Sequence, residues 1–152
     1  MSLLSDIQGA LHAPKDKKNS FGGYNYRSAE GILEAVKPIL QNHGAAIVLS
    51  DEPVLVGSDY NQTATMHEET GKITSKTIHG RIYIKATACL VDADGKEVGH
   101  SSAYAREEET KKGFDAAQLT GSASSYARKY ALNGLLAIDD GVDPDSTNKH
   151  GK

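Results

Sequence analysis

One cysteine, Cys89, stands in the whole 152-residue chain. Its solitude rules out an intramolecular disulfide and a cysteine-based zinc site, and suits a reducing cytoplasm. Lying in an alternating apolar run, it predicts a buried structural thiol. No apolar run approaches membrane-spanning length, and the opening MSLLSDIQGALHAPKDKK lacks the basic-then-apolar order of a signal peptide. A cytosolic protein is expected. A global basic field is missing too: the formal net charge is −3, so any nucleic-acid site has to be local, with acid segregated elsewhere. No loop ends in the Gly-Lys-Ser/Thr of an ATP-binding site; Gly22-Gly23-Tyr24-Asn25-Tyr26-Arg27 reads as a turn anchored by aromatic packing. That argues against an ATP-driven recombinase or helicase. His12, His43, His67, His79, His100 and His150 are scattered, with no metal-ligand or nucleophile–base spacing.

What remains, with 38% hydrophobic residues, fits one domain with its own core. Residues 1–20 read as a helix and basic linker, 21–142 as the core domain, and 143–152 as an acidic, polar tail too poor in apolar residues to fold. Leu3, Leu4, Ile7 and Leu11 recur at helical spacing, predicting a helix over residues 2–12 that stops before Pro14. Ile32, Leu33, Val36, Ile39 and Leu40 mark a second, capped by Ser28, ended by His43-Gly44 and kinked at Pro38. After Gly44 the period becomes strand-like at Ala45 to Leu49 and at Val54 to Val56, two pieces separated by Asp51-Glu52-Pro53. The polar, Thr-rich residues 67–79 suggest a long exposed hairpin or a loop.

Arg81 to Val91 alternates strictly, and Glu97 to Arg106 follows after an Asp94-Gly95 hairpin signal. A two- or four-residue turn puts Gly99, Ser101, Ala103 and Ala105 on the core face with Ile84, Ala86, Ala88 and Leu90. It leaves His100, Tyr104 and Arg106 beside Tyr83 and Lys85 on the other face. Asp115 and Gln118 have capping-box spacing, with Phe114 and Leu119 as a hydrophobic staple. A long helix is therefore expected from Asp115 to about Leu132, closed at Asn133-Gly134. Gly121, Ala123 and Ala127 offer a small surface for close approach to the sheet, with Leu119, Tyr126 and Tyr130 beside them. The fold class is α+β: an antiparallel β-meander packed against a long helix, with an N-terminal helical segment.

Two constellations carry chemistry. Gln118, Ser122, Ser125 and Lys129 fall on one side of the long helix, flanked by Arg128; hydroxyls, amides and cations in a row suit DNA-backbone contact. A solvated helix face is the simpler reading of that spacing. Arg81, Lys85, Arg106, Lys111 and Lys112 interleave with Tyr83 and Tyr104, a mixture suited to single strands because rings stack bases and cations take phosphates. Ordinary cross-strand pairs account equally well for that set. Asp139, Asp140, Asp143 and Asp145 offer carboxylates for a magnesium-dependent nuclease, but without an EF-hand spacing or an evident partner base, and a solvated acidic tail is simpler.

With these residues in view, the chain resembles the Erf (essential recombination function) family of phage single-strand annealing proteins. The resemblance begins at Tyr24-Asn25-Tyr26-Arg27-Ser28-Ala29-Glu30 and passes through the Ile32–Gly44 region and Arg81-Ile82-Tyr83-Ile84-Lys85-Ala86-Thr87-Ala88. It culminates in Lys112-Gly113-Phe114-Asp115-Ala116-Ala117-Gln118 and the run from Gly121-Ser122-Ala123 to Arg128-Lys129-Tyr130-Ala131-Leu132, covering about residues 21–145. It implies a non-enzymatic, ATP-independent protein without a cofactor, working in the cytoplasm of a bacterial host. Such a protein binds single-stranded DNA, pairs it with its complement, and forms rings or filaments, with a host single-strand-binding protein as a possible partner and no membrane. By analogy Arg27, Arg128 and Lys129 line a basic groove, with Lys85, Arg106, Lys111 and Lys112 as further phosphate contacts.

Overall fold

The computed structural model describes residues 2–15, 17–18, 25–56, 61–66, 69–71, 73–78, 81–107 and 115–138. Helix α1 (Leu3–Ala10) starts where the Ser2 hydroxyl accepts from the Ser5 N–H at 3.2 Å. It is shorter than the expected 2–12, because Leu11 is already extended. Two short strands, β1 (Lys17–Lys18) and β2 (Asn25–Tyr26), pair with each other. Helix α2 (Ala29–Asn42) is capped by Ser28, whose hydroxyl accepts from the Gly31 N–H at 3.0 Å, and gives way at His43 and Gly44, the latter with φ +62°. Pro38 lies on the exposed face of α2, which continues through it.

Strands β3 (Ala46–Val56), β6 (Arg81–Val91) and β7 (Glu97–Arg106) form an antiparallel sheet in the order β3-β6-β7. Between β3 and β6 the chain makes a separate two-stranded sheet, β4 (Asn61–Met66) with β5 (Ile73–Ile78). Of the two readings of residues 67–79, hairpin or loop, the hairpin is the one present, and it begins earlier, at Asn61. The two apolar pieces around Asp51-Glu52-Pro53 are one strand. Pro53 pairs with Ile84, and because β3 is an edge strand, a proline whose nitrogen faces outward deletes no ladder bond.

The β6–β7 register is the expected one by face: Ile84↔Ala105, Ala86↔Ala103, Ala88↔Ser101 and Leu90↔Gly99 share one side, Tyr83↔Arg106 and Lys85↔Tyr104 the other. The connection differs. Val91 pairs with Glu97 across five residues, an odd count that would flip β7, and a bulge beside Leu90 and Val91 restores the phase. Asp92 organises the turn, its Oδ1 accepting from the N–H groups of Asp94 (3.0 Å) and Lys96 (2.9 Å), with Gly95 at φ +77°.

Helix α3 (Ala116–Leu136) crosses the β6–β7 face. Its capping box is formed: Asp115 Oδ1 accepts from the Gln118 N–H at 2.8 Å, and the Gln118 amide oxygen accepts from the Asp115 N–H at 3.2 Å. Ala123, Ala127 and Ala131, spaced by four, are buried against Ile84, Ala86, Ala88 and Leu90. Ile7 of α1 and Ile32, Val36 and Leu40 of α2 complete the core with Leu132, Leu135 and Leu136.

Three expectations for α3 are corrected. The helix does not close at Asn133-Gly134 but at Ala137, in the left-handed conformation with φ 54°, because one more turn buries Leu135 and Leu136. The close approach to the sheet is made by Gly134, where an added Cβ would collide with the Ser101 hydroxyl and lie 3.3 Å from Ser101 Cβ; Gly121 is open to solvent. Tyr126 and Tyr130 are 56% and 49% exposed instead of packed on the sheet. Phe114 and the tail from residue 139 lie outside the described residues.

Candidate nucleic-acid interface

The predicted polar face of α3 divides by direction. Gln118 and Ser125 are exposed, and Gln118's amide oxygen is engaged in the capping box. Arg128 turns toward β3, its Nε donating to both carboxylate oxygens of Asp51 at 3.0 and 3.1 Å; the Ser124 hydroxyl donates to the same carboxylate. Partial burial pushes the Asp51 carboxyl up, but the hydrogen bonds from Arg128 and Ser124 and the Arg128 charge outweigh it and hold it below its ordinary range. Lys129 turns the other way: its Nζ lies 5.8 Å from the Tyr26 ring and 5.4 Å from the Tyr130 ring. Ser122 is half-buried in a groove lined also by Tyr104, Arg106, Leu119, Tyr126 and Tyr130.

The hairpin set stays together. Lys85 Nζ lies 5.9 Å from the Tyr104 ring and 3.5 Å from Glu52. Tyr104 is 54% exposed, Tyr83 half-buried, and Arg81 and Arg106 exposed. These side chains sit on the sheet face away from α3, and the groove connects them to the tyrosines of the helix around the end of β7. Arg27 is drawn elsewhere: its Nε donates to the Ala13 carbonyl, and it lines a second pocket with Gln8, Pro14 and Leu136. Lys111, Lys112 and the carboxylates of Asp139, Asp140, Asp143 and Asp145 lie outside the described residues. Among the described residues no three His, Cys, Asp or Glu side chains are grouped to hold a metal ion, and no helix is long and apolar enough to cross a membrane.

Cys89 is half-buried on the open sheet face beside His100, not in the core. Desolvation, then the nearby Glu97 carboxylate, pushes its thiol above the ordinary range, which makes it a poor nucleophile.

A family model described as the ERF superfamily matches residues 2–152. The chain belongs to the ERF superfamily. It is 49% identical over 147 residues to the Essential recombination function protein of Salmonella phage P22, an alignment that covers 97% of this chain and 58% of that protein. This ERF-superfamily chain therefore spans less than two thirds of that relative's length. No solved structure matches it.

Sequence reasoning missed Tyr26, Tyr126 and Tyr130 as members of the exposed surface of this ERF-superfamily chain. The signal was present. Ala123, Ala127 and Ala131 at four-residue spacing already define the buried line, and Tyr126 and Tyr130 repeat the spacing one position before it, about 100° around the helix.

Proposed function

We propose that this chain is the DNA-binding core of an ATP-independent single-strand annealing protein of phage or prophage recombination, acting as a homo-oligomer in the cytoplasm of a bacterial host. The observation that carries the reading is the set of lysine contacts over exposed rings: Lys129 with Tyr26 and Tyr130, and Lys85 with Tyr104. Membership of a superfamily whose phage P22 member is named for recombination supports it.

Each contact is a place where a base and a lysine exchange positions. An exposed cation–π contact contributes about 0.5–1 kcal/mol, whereas a base stacked on an aromatic ring contributes about 1–3 kcal/mol. The displaced ammonium then neutralises the adjoining phosphate, releasing counterions. Of the two neighbouring cations on α3, Lys129 is the more available, since phosphate would have to compete with Asp51 for Arg128. Bases held by their faces keep their pairing edges free, so a complementary strand supplies the driving energy for annealing. No bond is broken, and no catalytic group, metal or nucleotide is required.

The test is anisotropy of a labelled oligothymidylate, titrated from low to high salt. Binding at low salt that weakens linearly with log salt is expected, with the slope reduced by about one for Lys129→Ala or Lys85→Ala. Tyr130→Ala and Tyr104→Ala should each cost about 1–3 kcal/mol of affinity. Absence of binding at low salt, or four variants indistinguishable from wild type, refutes the reading. Labelled strands that are cut on addition of magnesium, with cutting lost in Asp139→Asn, would point instead to a nuclease.

A further inference from the structure

Among the described residues no strand pairs with either edge of the sheet β3-β6-β7, and the two edges are not alike. Glu107 donates its N–H to the Ile82 carbonyl at 2.9 Å, so with the observed register the pairs 84/105, 86/103 and 88/101 exchange hydrogen bonds. The backbone groups of His100, Ser102, Tyr104 and Arg106 therefore point away from β6. Carried across β6, the same alternation turns the nitrogen of Pro53 outward at the β3 edge. That edge is blunted by a proline and flanked by Asp51 and Glu52. Between Val98 and Ala105, by contrast, β7 contains no proline, lysine, arginine or carboxylate, and among the described residues no strand pairs with it. Natural sheets seldom leave an edge so unguarded unless something pairs with it.

A second unmatched element lies in the same chain. Among the described residues β4 and β5 pair only with each other, six residues against six, and a lone two-stranded ribbon is marginal in water. Their sequences, NQTATM and ITSKTI, are rich in residues that favour strands, so the backbone pairs well while the third strand is missing. One chain thus offers an arm without a sheet and a sheet edge without a strand, and the two do not meet within it.

Resting on the self-assembling reading above, we infer that the β4–β5 arm of one copy adds to the open β7 edge of the next. The contact is heterologous, head to tail, and so generates a ring or a filament and not a closed two-fold dimer. Because the groove opens beside Tyr104 and Arg106 at the end of that edge, a neighbour's strand along β7 supplies its outer wall.

Solution mass, measured without DNA, tests this. Ser102→Pro removes an outward N–H while leaving every β6–β7 ladder bond, as Pro53 does on the other edge; Ser102→Ala controls for the lost hydroxyl contact to Thr87. A second variant replaces residues 57–80 with an Asn-Gly turn between Val56 and Arg81, removing the arm. The wild type and Ser102→Ala should be multimers, and Ser102→Pro and the arm-lacking chain folded monomers by circular dichroism and mass. Mixed together, the two monomers should form a one-to-one pair, since one keeps its arm and the other its edge. A wild type of monomer mass at every concentration, an arm-lacking chain that still assembles, or a mixture that stays monomeric overturns the inference. Should Ser102→Pro unfold, the arm-lacking chain decides alone: monomer mass supports, multimer mass overturns. Oligonucleotide binding is read separately, so failure of assembly and failure of the DNA-binding reading are told apart.

Discussion

Asp51 holds two side chains of α3, Ser124 and Arg128, and fastens the helix to the outer strand of the sheet. Its carboxyl titrates below the ordinary range in the folded protein, so the stabilisation is complete above the unfolded-state pKa of about 3.9 and disappears as pH falls through the lower folded value. Asp51→Asn should therefore lower the unfolding free energy read from urea melts near neutral pH, by about 1 kcal/mol or less since the Arg128 side chain is 40% exposed. The difference from wild type should vanish in strong acid; a difference that persists there would mean packing, not charge, is at stake. Ala137 provides a second test. A non-glycine residue at φ 54° carries a left-handed penalty of about 1–2 kcal/mol, so Ala137→Gly should stabilise by about 0.5–1 kcal/mol in denaturant melts.

For α3 as an element, the decisive fact is how its contact line runs from Leu119 through three alanines to Gly134. Gly134→Ala gains helix propensity, about 1 kcal/mol, but forces a Cβ onto Ser101, and overpacking costs about 1–3 kcal/mol. Alone it should lower the melting midpoint; in a Ser101→Gly background it should raise it, with a coupling of at least about 1 kcal/mol in a double-mutant cycle. Additive effects would show that the helix is free to shift. The start of α3 was legible because Asp115 and Gln118 make a purely local capping box. Its end was not: Asn133-Gly134 carries the composition of a stop, and only the burial of Leu135 and Leu136, with Gln8 donating to the Leu135 carbonyl at 2.8 Å, reveals that tertiary contacts carry the helix past it. β6 and β7 were readable to the residue because alternation and a turn signal coincide. β3 was not, since Asp51-Glu52-Pro53 looks like a turn until its position at a sheet edge is known. The basic residues of the candidate site were recognisable by type, but Arg128's engagement with Asp51, 77 positions away, is a long-range contact that composition cannot disclose.

At the scale of the whole molecule, a net charge of −3 would make the proposed binding to DNA depend on a few local cations, so affinity should be modest for one chain and rise with the number of copies along a strand. The inferred assembly through the arm would also link folding to concentration. The wild-type melting temperature should climb as protein concentration is raised, because association stabilises by mass action, whereas that of Ser102→Pro should stay constant in a scanning fluorescence series. A wild-type midpoint independent of concentration would contradict the linkage.

Pro53 acquires a further meaning in that setting. A strand that lacks an outward donor at Pro53 is a poorer template for another chain, so in the inferred assembly the sheet would recruit on one side and be disfavoured from doing so on the other. That would act against fibril seeding, because the missing donor disfavours β3 joining sheets edge to edge where molecules crowd together.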